Sequence, residues 1–221
     1  MLEEEAFVSF SGGKESCLAC YRAIEENFKI RYLLNMVSSD GKCSYSHRIN
    51  LKLLKLQAQA MGVTIVWIKT NWKNYEADFK KCILNFKEQN IKTGIFGDID
   101  LKEHRDWIER VSKEVGIKPM LPLWKEKREN LLDEFINLGF KAIVVVTCAQ
   151  FLGKEWLGKI IDKEFIKEIK NKSNIDLCGE RGEYHTFVYD GPIFKEPVKF
   201  SIGKKTLKEK HWFLELKAER R

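Results

Sequence analysis

The chain has 221 residues, of which 44% are hydrophobic, so it is long enough for one large domain or two small ones with a proper core. Lys and Arg number 39 against 32 Asp and Glu, a net charge of +7 that is spread along the chain without a basic tail. This charge pattern is typical of a mildly basic folded protein and does not favour nucleic-acid binding.

The N-terminus and the cysteines bear on the compartment. Acidic residues at positions 3–5 precede a short apolar run, unlike the basic start and long apolar core of a signal peptide. No apolar stretch reaches membrane-spanning length, and six cysteines without secretory context favour buried thiols over disulfides. We therefore expect a cytoplasmic protein that does not involve a membrane, and abundant Lys, Glu and Ile favour a thermophilic source.

Up to residue 124, β-rich apolar runs alternate with segments of helical period, which predicts βα units stacked around a parallel sheet. The implied fold class is α/β, a doubly wound and mainly parallel five-stranded sheet. The predicted strands, of which the last is an extended segment broken by prolines, cover residues 6–10, 30–37, 64–68, 93–97 and 118–123.

A different pattern follows Trp124. A helix that stops at Gly139 and the strongly β run 142–146 form one further αβ unit, and residues 156–170 have helical period. From residue 175 onward, short strands are separated by Gly and Pro. We therefore predict two domains, residues 1–124 and a smaller C-terminal α+β domain at residues 125–221.

The loop between the first predicted strand and the first helix is SGGKES, at residues 11–16. Paired glycines there allow backbone N–H groups to face an anion, which the helix N-terminus also favours. Lys14 adds a mobile positive charge, and the hydroxyls of Ser11 and Ser16 can donate to phosphate oxygens. The spacing excludes both the Walker A loop and the Gly-x-Gly-x-x-Gly loop. The alternative is an ordinary strand-turn-helix junction with a serine cap.

A second unusual stretch is CGERGEYHT, at residues 178–186, where acidic groups and one imidazole are packed around glycines. Such a cluster could bind a cationic substrate, position Mg²⁺ or move a proton. The alternative is a polar turn before a hairpin.

Together the two stretches carry a family resemblance. The loop resembles the PP-loop of N-type ATP pyrophosphatases, in which Asp usually stands in the place of Glu15. Residues 178–186 resemble the Glu-x-Gly-Glu-Tyr signature of the diphthine ammonia ligase family, which implies an adenine nucleotide alpha hydrolase-like (HUP) first domain and a substrate-binding second domain. Further stretches similar to that family's landmarks, in the same order, are Gly97-Asp98-Ile99 with His104-Arg105, PMLPLW at residues 119–124, and Leu157-Gly158-Lys159.

The resemblance implies the last step of diphthamide synthesis on translation elongation factor 2. ATP would adenylate the carboxylate of diphthine, and ammonium would then supply the nitrogen, giving diphthamide, AMP and pyrophosphate. The implied partners are ATP, ammonium and the diphthine-bearing factor, with Mg²⁺ as a further cofactor. The sequence does not decide whether the protein forms a homo-oligomer.

By the same resemblance, each candidate residue receives a role. Glu183 is the first choice for orienting ammonia or the acceptor. The residues expected to bind the nucleotide are Ser11, Gly12, Gly13, Lys14, Ser16, Met36, Val37 and Asp98. The expected catalytic residues are Glu180, Glu183 and His185, and the expected substrate contacts are His47, Arg105, Tyr184 and Asp190.

Other cysteine and histidine pairs are not predicted to be functional sites. Cys17 and Cys20 fall on an apolar helical stripe that also includes Ile24, so we expect buried core thiols. His104 lies on the predicted inner stripe of the fourth helix and is expected to be a core histidine. Cys43 and His47 have a metal-like separation, but no second pair accompanies them, so no zinc site is predicted.

Two other functions stay open at this point. One is a PP-loop enzyme that adenylates a tRNA base before thiolation or amination, although no separate RNA-binding module is evident. The other is a sensor that binds ATP or AMP without turnover.

Overall fold

The computed structural model describes residues 3–41, 43–44 and 48–219. Within these residues, no helix is long and apolar enough to cross a membrane. The chain divides into two compact units, and the second takes in two short stretches from early in the chain. The first unit comprises Met1–Ser11, Glu15–Arg48 and Gly62–Lys125, and the second comprises Gly12–Lys14, Ile49–Met61 and Glu126–Arg221. The division at residue 124 stays a prediction.

The first unit is built on a five-stranded sheet in the order β3-β2-β1-β4-β5. All four pairs of neighbouring strands are parallel, so each connection crosses over the sheet. The predicted α/β class with a five-stranded parallel sheet is confirmed. The strands are β1 (Glu4–Ser9), β2 (Phe28–Ser38), β3 (Thr64–Thr70), β4 (Thr93–Ile95) and β5 (Lys118–Met120).

The strand order reverses where β1 and β4 lie side by side. In open α/β sheets, ligands bind beyond the carboxyl ends of the strands at such a switch point. The chain leaves β1 through Ser11 and leaves β4 through Gly97 and Asp98. Sheet topology therefore places two of the predicted nucleotide-binding residues, Ser11 and Asp98, at the expected edge.

Six α-helices are assigned among the described residues. They are α1 (Lys14–Glu25), α2 (Leu51–Met61), α3 (Tyr75–Glu88), α4 (Lys102–Val115), α5 (Arg128–Asn137) and α6 (Lys163–Lys170). In the first unit, α3 and α4 contact each other and pack on the sheet. Their apolar stripes, with Phe79, Ile83 and Ile108, form one core with Phe7 of β1 and Leu34 of β2.

The buried face of α1 agrees in part with its predicted stripe. Cys17 and Cys20 are fully buried free thiols, as predicted, and burial raises the pKa of Cys20 to about 12. Ile24 was wrongly predicted to be buried: it is 40% exposed, because it lies in the last turn of the helix.

The prediction that His104 is a core residue is wrong, because its side chain is 58% exposed. The buried stripe of α4 begins one turn later, at Ile108. A 14-residue helix is about 21 Å long, whereas the three-residue strands β4 and β5 are about 10 Å long. The first turn of α4 therefore extends beyond the strands.

The second unit contains an antiparallel sheet in the order β7-β6-β9-β8, which gives the predicted α+β architecture. Its strands are β6 (Lys141–Cys148), β7 (Tyr184–Asp190), β8 (Phe200–Lys208) and β9 (His211–Ala218). The helix predicted over residues 156–170 is wrong in its first half. Gly158 has a φ of +92°, Ile160 forms a bridge with Ile143, and α6 starts only after Asp162, whose side chain caps Phe165 N.

Helix α2 follows β2 in the chain but belongs to the second unit, where it contacts β9. The backbone N–H of Lys195 donates to the carbonyl of Ala60, near the end of this helix, at 2.8 Å. The buried face includes Leu53, Leu54 and Ala58 together with one polar residue, Gln57.

Candidate active site

In the second unit, the glycine loop lies along β7, the strand that carries the end of the second signature. The carbonyl of Gly12 accepts hydrogen bonds from the backbone N–H of Val188 at 3.0 Å and from Nε2 of Gln57 at 2.9 Å. The backbone N–H of Lys14 donates to Oγ1 of Thr186 at 3.1 Å. The structure thus brings together two stretches that the sequence places more than 160 residues apart.

The backbone at Gly12 requires glycine. Its φ is +82°, a conformation that side chains of L-residues rarely adopt. A Cβ at this position would lie 2.6 Å from Oε1 of Gln57 and 2.6 Å from Cδ2 of Leu54. The absence of a side chain therefore allows the loop to approach α2 closely.

Lys14 is almost fully buried against the second signature, with 4% of its surface exposed. Its Nζ donates to the carbonyl of Cys178 at 2.5 Å and lies 4.5 Å from the ring centroid of Tyr184. A carbonyl oxygen and the face of an aromatic ring both stabilise a buried ammonium group. The structure therefore holds the Lys14 ammonium group against the second signature.

The carboxylate of Glu183 organises the loop that precedes β7. Glu183 is fully buried, and its two oxygens accept from the backbone N–H groups of Asp176 at 2.8 Å and Arg181 at 3.0 Å. Asp176 in turn accepts from the N–H of Cys178 and pairs with Arg128. This geometry suits a residue that shapes the loop, and a catalytic role for Glu183 stays a prediction.

Glu180 and His185 differ in their surroundings. Glu180 is half-buried, and its backbone N–H approaches Oδ1 of Asp176 at 3.5 Å. Burial, followed by the nearby charges of Lys14 and His211, lowers the pKa of His185 to about 4. His185 is therefore a neutral imidazole near pH 7, which accepts hydrogen bonds but is a weak base.

Asp190 lies at the far end of β7 from Tyr184. The two residues are six positions apart along the strand, which is about 20 Å. The Asp190 carboxylate pairs with Nζ of Lys141 at 2.8 Å and accepts from the backbone N–H of Gly191. The structure therefore does not group Asp190 with Tyr184, and its predicted contact with substrate stays a prediction.

In the first unit, the hydroxyl of Ser11 donates to Oγ of Ser16 at 3.2 Å. A Cβ on Gly97 would lie 2.9 Å from the backbone carbon and oxygen of Glu15, so the loop after β4 closely approaches the start of α1. Met36 and Val37 are both buried in β2.

Asp98 and Arg105, also in the first unit, lie near the surface. Oδ1 of Asp98 is 3.0 Å from Nδ1 of His104. Arg105 donates to Glu109 at 2.5 Å, and its guanidinium lies 5.1 Å from the ring centroid of Trp124. His47, the remaining candidate, lies outside the described residues. Among the residues that the structure describes, no group of three or more His, Cys, Asp and Glu side chains is arranged to hold a metal ion.

Comparison with known families shows which family the chain belongs to. The model of the diphthamide synthase N-terminal domain matches residues 5–119, and that of the diphthamide synthase C-terminal domain matches residues 127–220. The chain belongs to the diphthamide synthase family. The resemblance inferred from the two motifs is thereby confirmed at the level of family.

Relatives of this diphthamide synthase family member include three vertebrate proteins named diphthine–ammonia ligase. Those of Bos taurus and Homo sapiens are each 29% identical to it, with 85% of this chain and 79% of the relative aligned. That of Danio rerio is 27% identical, with 85% and 83% aligned. A crystal structure described as a predicted subunit of tRNA methyltransferase, from Methanocaldococcus jannaschii, shares 16% identity over 85% of this chain and 97% of that one. Its TM-score of 0.48 is too low to support a conclusion.

Three residues of the site were not identified as candidates from the sequence. Thr186 lies inside the signature and bonds to Lys14 through its hydroxyl. Gln57 interrupts the apolar stripe of α2, and a lone polar residue at a buried helical position is a signal that could have identified it. Asp176, which caps the signature loop, carries no comparable signal in the sequence.

Proposed function

We propose that this member of the diphthamide synthase family is a diphthine–ammonia ligase. It would use ATP and ammonium to amidate diphthine on translation elongation factor 2 and release AMP and pyrophosphate. One observation carries most of the proposal: Lys14 of the PP-loop is hydrogen-bonded to Thr186 and Cys178 of the second signature, at residues 178–186. A ligase needs its nucleotide and its acceptor at one place, and the names of the vertebrate relatives point to the acceptor.

The first step is activation of the carboxylate. An oxygen of the diphthine carboxylate attacks the α-phosphorus of ATP, forming an acyl adenylate while the bond to the β-phosphate breaks and pyrophosphate leaves. The backbone of Gly12 and Gly13 would receive the phosphates, and the ammonium group of Lys14 would stabilise the charge that grows on them. The absence of a side chain at Gly12 lets the loop lie against Gln57 and Leu54 of α2, which holds the loop backbone in place.

Mg²⁺ bound to ATP would supply further positive charge at the phosphates. Such an ion takes most of its ligands from phosphate oxygens and water, so a single protein carboxylate is sufficient. Asp98 is the candidate ligand, because it follows β4 at the switch point of the parallel sheet.

The second step is amide formation. An ammonium ion loses one proton to become ammonia, which attacks the acyl carbon. The bond to AMP then breaks, and a second proton is released from the nitrogen. Glu180 is the candidate for accepting protons, since the residue is only half-buried. A neutral His185 would accept a hydrogen bond from the ammonium ion without repelling it. Glu183 would hold the loop that carries Glu180.

The test is release of AMP and pyrophosphate from ATP with ammonium, with and without diphthine-bearing elongation factor 2. We expect release only when both ammonium and the modified factor are present, and loss of release in Gly13→Asp, which places a carboxylate in the phosphate loop. AMP release that ignores the factor but requires tRNA would instead favour the tRNA-directed enzyme. ATP binding without turnover under any of these conditions would favour the sensor.

A further inference from the structure

We propose that Gln57 of helix α2 is a positioning residue for the nucleotide: its side-chain amide fixes the Gly12 carbonyl against β7 and so orients the phosphate loop. This inference rests on the proposed use of ATP. It assigns a role to a residue that belongs to neither of the two sequence motifs.

The contacts of Gln57 fix the orientation of its amide. The residue is fully buried, and its Nε2 donates to the carbonyl of Gly12 at 2.9 Å and to the carbonyl of Val188 at 2.6 Å. Both partners are carbonyl oxygens, which only accept hydrogen bonds, so the nitrogen and not the oxygen of the amide must face them.

Gln57 supplies a hydrogen bond that the loop itself does not provide. β7 is the edge strand of its sheet, and the N–H of Val188 donates to Gly12. In a regular strand pair, a backbone N–H of the glycine loop would donate a hydrogen bond to the Val188 carbonyl. Here the N–H of Lys14 donates instead to the Thr186 hydroxyl. The side-chain amide of Gln57 donates the hydrogen bond to the Val188 carbonyl.

Holding the Gly12 carbonyl also determines the direction of the next N–H. The described chain has no cis peptide bond, and in a planar trans peptide the C=O and the following N–H point in opposite directions. Because the Gly12 carbonyl points at β7 and Gln57, the N–H of Gly13 points away from them. Gln57 therefore fixes the orientation of the peptide group that joins Gly12 and Gly13, inside the loop proposed to receive the phosphates.

The remaining atom of the amide shows that Gln57 is not there for packing alone. Its Oε1 is buried and has no hydrogen-bond partner among the described residues. A buried polar atom without a partner is destabilising, and a Met of similar length would avoid that penalty. The amide is therefore explained by the two hydrogen bonds that it donates to the loop and to β7.

The test is calorimetric titration of ATP and Mg²⁺ into the folded full chain, without ammonium or acceptor. Gln57→Met keeps the length of the side chain and removes both donors, and we expect ATP binding to weaken about 10- to 100-fold, since each hydrogen bond contributes about three- to tenfold. Gln59→Met, at an exposed position on the same helix, is the matched control and should bind ATP like the unmodified chain.

Gln57→Glu gives a readout that a purely structural role would not produce. When protonated, its carboxyl donates one hydrogen bond to a carbonyl; when ionised, it faces two carbonyl oxygens and repels them. Because full burial beside two carbonyl oxygens raises the pKa of a carboxyl group toward neutrality, we expect the ATP affinity of this variant to fall at least tenfold between pH 6 and pH 8, relative to the unmodified chain. This variant also keeps the test decisive if Gln57→Met does not fold.

Two outcomes would overturn the inference in different ways. If both variants fold and bind ATP within twofold of the unmodified chain at every pH, Gln57 does not position the loop and the proposed function stands. If the unmodified chain does not bind ATP at all, the proposed function and the inference fall together.

Discussion

Gly12, Lys14 and Glu183 in the second unit are buried and held by backbone groups, whereas Asp98 and Arg105 in the first unit lie near the surface and contact other side chains. The first three positions are therefore part of the packed fold, and changing them should alter stability and function together. The other two can change while the fold persists. Four predictions test this difference, from the largest expected effect to the smallest.

Gly12→Ala should be the most damaging change. The new Cβ would collide with Leu54 and Gln57 in a backbone conformation that disfavours alanine, so we expect a loss of about 2–4 kcal/mol in the free energy of unfolding. Displacement of the loop should reduce AMP release about 100-fold. Urea denaturation and the ligase assay measure the two effects.

Gly139→Ala is the control for Gly12→Ala. Gly139 has a φ of +83°, close to that of Gly12, but a Cβ there would meet nothing within 4 Å. It should lose about 1 kcal/mol and keep its activity. Equal effects of the two substitutions would mean that the close approach to α2 is unimportant.

Glu183→Ala should destabilise the chain by about 2–4 kcal/mol, because it leaves the N–H groups of Asp176 and Arg181 without their acceptor. Glu183→Gln retains one acceptor oxygen and should be intermediate in both stability and AMP release. Chemical denaturation of both variants measures the effect. A Glu183→Gln chain with full stability and no activity would show that the carboxylate acts in the chemistry and not in holding the loop.

The stability of the chain should depend on pH through His185. The pKa of His185 lies at about 4 in the folded chain, below its ordinary value of 6.5. Between about pH 4 and pH 6.5, the unfolded chain therefore binds a proton that the folded chain does not. Stability from this residue is therefore lost as pH falls from about 6.5 to 4, by about 2–3 kcal/mol.

Urea unfolding between pH 4 and pH 7.5 tests this expectation. His185→Gln should flatten the pH dependence of the free energy of unfolding. An unchanged slope in His185→Gln would show that burial does not hold this imidazole neutral.

Asp98→Asn should have the smallest effect on stability, within about 0.5 kcal/mol, because its contact with His104 is near the surface. As the candidate Mg²⁺ ligand, however, it should raise the Mg²⁺ concentration needed for half-maximal AMP release severalfold. Titration of Mg²⁺ in the ligase assay measures this requirement. An unchanged requirement would remove Asp98 from the metal's surroundings.

Local patterns in the sequence were sufficient to predict the parallel sheet and to identify the family. Strands such as β2 are apolar runs flanked by helical segments, and the glycine loop follows β1 directly, so these features need no tertiary information. The helix predicted from residue 156 failed where Gly158 and the bridge at Ile160 impose extended backbone, which helical periodicity alone does not reveal.

Tertiary contacts explain what the sequence left undetermined in the candidate site. The apolar stripe of α2 could pack against either sheet, and the sequence pattern does not distinguish the two. The place of α2 in the second unit and the contacts of Gln57 could therefore not be predicted. The signature identifies Glu183 as a carboxylate, but not that both of its oxygens accept from backbone N–H groups. A motif gives residue types, whereas their directions depend on packing.

The hydrogen bond between Lys14 and Thr186 also bears on how the protein folds during synthesis. It joins residues 172 positions apart, and contacts at such separations form late because a long loop must be closed first. Residues 12–14 leave the ribosome long before β7 exists, so the glycine loop lacks its partner strand for most of translation. A nascent chain that ends before β7 should therefore fail to bind nucleotide, and competence should appear only once residue 188 has been synthesised and β7 has paired.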